Sequence, residues 1–106
     1  MIYCFDLDGT LCTQRDLDYE NAEPYVDRIE EVNKLYDKGH TIIIDTARGS
    51  GKTRGKHWIP ITKEQLDGWG LKHHSLRAGW KISADLYVDD RSIHPDKFFK
   101  ALGNSK

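Results

Sequence analysis

The 106-residue sequence holds only two cysteines, Cys4 and Cys12, and their spacing is not that of a metal site. Neither a disulfide framework nor a thiolate zinc centre is expected, and a reducing cytoplasm is the expected setting. No long apolar run occurs, and Met1 leads straight into a short apolar stretch, so neither a signal peptide nor a membrane span is expected. Charge of one sign is also missing: 16 Lys and Arg face 17 Asp and Glu, a formal net charge of -1. The field of the whole molecule therefore does not attract nucleic acid or an anionic membrane, and any anion site must be local. Large aliphatics are few. Leu, Ile, Val and Phe supply 24 of the 106 residues, a little above the ~20% below which high charge signals disorder. Repeats, low-complexity tracts and linkers are absent. A single domain over 1–106 is expected, with a compact core and no material for a separate lid.

Short apolar runs alternate with helical patterns, which predicts β-α units and a parallel sheet covered on both faces. Ile2 to Phe5 reads as a strand ending abruptly at Asp6. After an acidic irregular stretch from Leu11 to Ala22, Pro24 opens a helix with Val26, Ile29, Val32, Leu35 and Tyr36 at three- and four-residue spacing, closed by Gly39. Thr41 to Asp45, nearly all isoleucine, has the composition of a strand buried on both faces. Arg48 to Pro60 is a glycine-rich basic loop. A short helix capped by Thr62, a weak strand from His73 to Leu76, a clear strand from Asp85 to Val88 and a closing helix from Pro95 complete the chain. Cys4, Tyr25, Trp69, Phe98 and Phe99 read as core. Cys12 reads as a bystander near a site, and the five histidines as surface or substrate-contact residues.

In an open parallel sheet, ligands bind beyond the carboxyl ends of the strands, where residues distant in sequence converge. Here those ends carry Asp6 and Asp8, then Thr46, then Asp89 and Asp90. One aspartate after a strand is ordinarily a cap or turn residue. Four carboxylates at one end of a small sheet would repel one another unless a cation sat among them, and oxygen ligands of this hardness select Mg²⁺. Gly9, between Asp8 and Thr10, lets the backbone turn close to a phosphate.

Phe5-Asp6-Leu7-Asp8-Gly9-Thr10-Leu11 resembles the first motif of the haloacid dehalogenase superfamily. That superfamily's other motifs follow in order at Thr46, at Lys81 and at Asp89-Asp90, so the resemblance spans essentially the whole chain. Thr46-Ala47-Arg48-Gly49 and the stretch from Trp80 to Asp90 are similar to short, capless phosphatase-like proteins found with capsule and cell-surface sugar genes, although Trp80 and Ile82 stand where that pattern has glycine and proline. The resemblance implies a three-layer α/β/α, Rossmann-like core without a cap. It implies Asp6 as the nucleophile forming an aspartyl-phosphate, Asp8 as general acid and then base, and Thr46 and Lys81 as ligands of the transferring phosphoryl group, with Lys72 the alternative lysine. Asp6, the Asp8 carbonyl, Asp89 and Asp90 would hold Mg²⁺.

With no cap, specificity is expected from loops or from a neighbouring subunit, including a homo-oligomer. Gly9, Thr10 and Ala47, with Arg48, Lys52, Arg54, Lys56, His57 and Trp58 of the basic loop, are the candidate substrate contacts, able to bind a second anionic group or stack on a ring. A small phosphomonoester such as a sugar phosphate is the favoured substrate class. A phosphatase of nucleotides or nucleic-acid ends is the alternative, since basic and aromatic residues interleave in the loop, although net charge disfavours nucleic acid. A catalytically silent phosphate- or metal-binding module is a third reading. Gly49-Ser50-Gly51-Lys52-Thr53 invites comparison with a P-loop, but Thr46 stands where that motif needs glycine or alanine, and a poor helix start follows.

Overall fold

The computed structural model describes residues 1–14, 18–50, 58–82 and 84–103. Strand β1 (Ile2–Phe5) leads through an irregular segment and a 3-10 turn at Tyr19–Asn21 to helix α1 (Val26–Asp37). Strand β2 (Thr41–Thr46), helix α2 (Trp58–Gly68), strand β3 (Ser75–Ala78) and helix α3 (Pro95–Ala101) follow. The strands form one parallel sheet in the order β1-β2-β3, with Phe5 opposite Ile44 and Thr46 opposite Ala78. This small open α/β arrangement is consistent with a Rossmann-like core.

Helix α1 buries Ile29, Val32 and Leu35 of the expected stripe together with Arg28, while Val26, at its first position, is exposed. It ends in a Schellman motif: Gly39, at φ 93°, donates to the Tyr36 carbonyl, and His40 donates to that of Leu35. Helix α2 starts one turn earlier than the sequence suggests. Pro60 falls in its first turn, where a missing N–H costs nothing, so Thr62 is a buried interior residue rather than a cap. In α3, Pro95 takes the first position and the His94 ring nitrogen accepts from the Asp96 amide.

The expected three layers are not present among the described residues. Along β2, Ile42, Ile44 and Thr46 are buried while Thr41, Ile43 and Asp45 are only half-buried, so the strand is covered on one face. All three helices contribute to one core with Phe5, Leu7, Leu11, Ile42 and Ile44. Two successive right-handed crossovers that step the same way along a sheet place both helices on the same side, which leaves Ile2 and Cys4 exposed on the other. Cys4 is thus not a core residue, and neither is Tyr25, which is exposed beside Arg28.

The stretch 85–88 is not a strand. Leu86 is 77% and Val88 91% exposed. A parallel strand entered from the carboxyl end of β3 must first return to the opposite end of the sheet, a crossover of about a dozen residues. Only 79–84 separate the two segments. No helix among the described residues is long and apolar enough to cross a membrane.

Candidate active site

The chain leaves β1 at Asp6 and turns at once. Leu7 is fully buried in the core, which directs its neighbours Asp6 and Asp8 away from it, both half-buried. The Leu7 carbonyl accepts from the amides of Thr10 (3.0 Å) and Leu11 (2.8 Å), and Gly9 donates to the Cys12 carbonyl (2.9 Å). Gly9 lies at φ 83°, the left-handed region that favours glycine, and the nearest neighbour a Cβ there would meet is the movable end of the Gln14 side chain, so conformation rather than space selects glycine.

Lys81 Nζ lies 3.4 Å from Asp6 Oδ1 and 4.9 Å from the centre of the Tyr87 ring. Burial pushes the Asp6 carboxyl above the ordinary aspartate range, and the Lys81 charge pulls it back. Lys81 reaches this position because its carbonyl accepts from Ser50 Oγ (3.0 Å), which ties the segment after β3 to the turn after β2. Lys72, the alternative lysine, pairs with Asp37 at the far end of α1 (2.7 Å). Thr46 is buried at the carboxyl end of β2, and its hydroxyl accepts from the Arg48 amide (3.2 Å).

Asp8 meets Arg48. The guanidinium Nε donates to Oδ2 (2.9 Å) and Nη2 to Oδ1 (2.8 Å), a two-point pair in which Arg48 has no exposed side-chain surface and Asp8 has 11%. Arg48 Nη1 donates to Thr62 Oγ1 (3.0 Å) and Gln65 Oε1 (2.6 Å). Cys12, beneath this pair, is buried with Sγ 3.5 Å from Asp8 Oδ1. Its thiol is pushed well above the usual range, first by burial and then by the Asp8 charge.

The expected substrate contacts need two corrections. Arg48 faces inward onto Asp8 rather than outward. Trp58 is buried in the first turn of α2, with its ring edge-on to Tyr19 at 4.9 Å, so it has no face for a ligand. Thr10 is buried, and its carbonyl accepts from Arg28 (3.1 Å). Lys52, Arg54, Lys56 and His57 lie outside the described residues.

The four-carboxylate cluster is not assembled. Asp89 and Asp90 sit in an exposed turn, where Asp89 Oδ1 accepts from the Arg91 amide (3.0 Å), the main influence holding its carboxyl below the usual range. Among the described residues no group of three or more histidine, cysteine, aspartate or glutamate side chains is placed to hold a metal ion. Of the expected donors, Asp6 and the backbone carbonyl of Asp8 stand without the second acidic pair, and the Asp8 carboxylate is engaged by Arg48. The cause is again the missing strand at 85–88, which was to deliver the second acidic pair.

Thr62, read from sequence only as a helix cap, and Gln65 and Tyr19 were not singled out as site residues, and no local pattern marks them as such. Neither is there a signal for the cavity of about 400 Å³ beside Gly9, lined by Pro24, Tyr25, Arg28 and Asp96 among others.

No protein-family model matches the chain, and no curated protein is significantly similar to it. Among solved structures, an MCSG target from Vibrio cholerae superposes with a TM-score of 0.78 at 30% identity, over 92% of this chain and 85% of that one. A chain of the Pnkp1/Rnl/Hen1 complex superposes with a TM-score of 0.56 at 17% identity, a likeness of fold alone, over 97% of this chain and 35% of that one. Both likenesses are consistent with a small Rossmann-like α/β fold. With nearly a third of aligned residues identical over almost its whole length, the chain belongs to the same family as the Vibrio cholerae protein.

Proposed function

We propose that the chain is a phosphoric monoester hydrolase in which Asp6 is the nucleophile. The observation that carries this reading is the Asp6–Lys81 pair at the carboxyl end of β1, 3.4 Å apart, with Thr46 at the end of the adjacent strand and Asp8 two residues along. A carboxylate oxygen of Asp6 attacks phosphorus in line, and the bond from phosphorus to the ester oxygen breaks as the Asp8 carboxyl gives its proton to that oxygen. Water then attacks the aspartyl-phosphate, Asp8 takes a proton from it, and Asp6 is restored. Lys81 and the Thr46 hydroxyl stabilise charge on the transferring oxygens. The open site, with no cap among the described residues, suits a small phosphomonoester such as a sugar phosphate, enclosed by loops or by a second copy of the chain.

Mg²⁺ is a separate part of the proposal, because the oxygen donors gathered around Asp6 do not by themselves form its site. It requires an acid from 89–90 to approach Asp6. No step above is routed through it. The test is phosphate release from a panel of sugar phosphates and nucleotides. Asp6→Asn should lower turnover at least about a thousandfold while leaving the circular dichroism unchanged. Turnover within about tenfold of wild type would rule out Asp6 as nucleophile. Excess EDTA should abolish release and added Mg²⁺ restore it, whereas an unchanged rate in chelator would remove the metal from the scheme.

A further inference from the structure

We infer that Arg48 is a positioning residue for the reaction, acting on Asp8 rather than on the substrate, and that Gln65 and Tyr19 hold it to that task. This deepens the phosphomonoesterase reading and rests on it. Four of the five guanidinium N–H groups are engaged inside the protein: two on the two Asp8 oxygens, one on Thr62 and one on Gln65. The guanidinium plane lies over the Tyr19 ring, 4.9 Å from its centre. Gln65 completes the set by donating from Nε2 to the Tyr19 carbonyl (2.7 Å). With its side chain fully buried, Arg48 presents no exposed edge or face to a phosphate.

What the fork does to Asp8 is specific. Two parallel hydrogen bonds fix the plane of a carboxylate as well as its place, which a lysine ammonium cannot do. A general acid has to meet the leaving oxygen within hydrogen-bond distance, and misplacement of about 1 Å costs on the order of a hundredfold. Asp8 lies in a turn bounded by a glycine, where the backbone alone sets the side chain loosely. The clamp reaches it from the segment after β2 and is itself braced by α2 and by the 3-10 turn. Arg48 exchanges no proton in this scheme. The proton passes only between Asp8 and the leaving alcohol, then between water and Asp8.

The leaving group provides the test. Glycerol phosphate needs a proton on its departing oxygen, whereas dinitrophenyl phosphate does not, because dinitrophenolate leaves unaided. For Arg48→Lys, kcat/KM on glycerol phosphate should fall roughly a hundredfold, the scale of general acid catalysis, and on dinitrophenyl phosphate less than about threefold. Introducing Arg48→Met into Asp8→Asn should add less than about a threefold further loss, since the group it positions is already gone. Removing both partners also avoids leaving one buried charge unpaired, so the double variant keeps the comparison open if Arg48→Met alone does not fold. Equal losses on the two esters in Arg48→Lys, or losses that multiply in the double variant, would assign Arg48 to substrate binding or to the fold and overturn the inference. A wild-type protein inactive on both esters would instead remove the hydrolase reading, and this inference with it.

Discussion

Two arginines show what burial does to a charge. Arg48 is held by Asp8, and Arg28, 9% exposed in its side chain, is held by Asp96 at 2.6 Å, by the Thr10 carbonyl and by the Phe99 ring. A buried guanidinium must find such partners. The hydrogen bond from Arg28, ahead of its charge, keeps the Asp96 carboxyl below the ordinary aspartate range. The unfolded chain therefore binds the proton at higher pH than the folded one. The stabilisation is present above the unfolded pKa and lost as pH falls through the folded one. Asp96→Asn should accordingly lower the melting temperature at neutral pH, with the difference from wild type narrowing between about pH 5 and pH 3. Thermal unfolding across that range is the check. Residues of this kind were the least legible in sequence. Arg48 sits among glycines and cations, the composition of a solvated loop, and nothing local indicates that its side chain turns back toward Asp8, forty residues away.

At the scale of elements, periodicity served well where a helix or strand buries a stripe of its own. Strand β1, the body of α1, strand β2 and the start of α3 lie close to where the spacing puts them. Helix α3 has seven residues and cannot persist alone, so its place depends on what it buries. Phe99 is fully buried, its ring stacked on Phe5 of β1 at 6.1 Å and edge-to-face with Phe98 at 5.2 Å. Phe99→Ala should cost roughly 3–5 kcal/mol, a large share of the stability of a small domain, read as a lower urea midpoint. The stretch 85–88 failed as a strand for a reason invisible at this scale. Its apolar residues are strand-like, but an apolar run becomes a strand only where the connection lets it reach an edge.

For the molecule as a whole, the consequence is a sheet covered on one face, with the edge of β1 away from β2 unpaired among the described residues. Ile2 (72%), Trp80 (77%), Ile82 (76%), Leu86 and Val88 expose apolar surface outside the core. Amide hydrogen exchange should show Ile42 to Ile44 protected, while Leu86 to Val88 exchange at nearly unprotected rates. Slow exchange at Leu86 to Val88 would show this stretch paired along β1 and would bring Asp89 and Asp90 toward Asp6.

By itself the sequence determined the chemistry on offer: an α/β pattern with carboxylates after the first strand and Thr46 after the second, and a resemblance of motifs that pointed to Lys81. Residue type and strand-end position are local properties, and local spacing carries them. Only the tertiary structure decided which of these groups meet. It paired Asp6 with Lys81, turned Arg48 from the solvent onto Asp8, and left Asp89 and Asp90 apart, because side-chain direction and the reach of a connection depend on where the other elements stand.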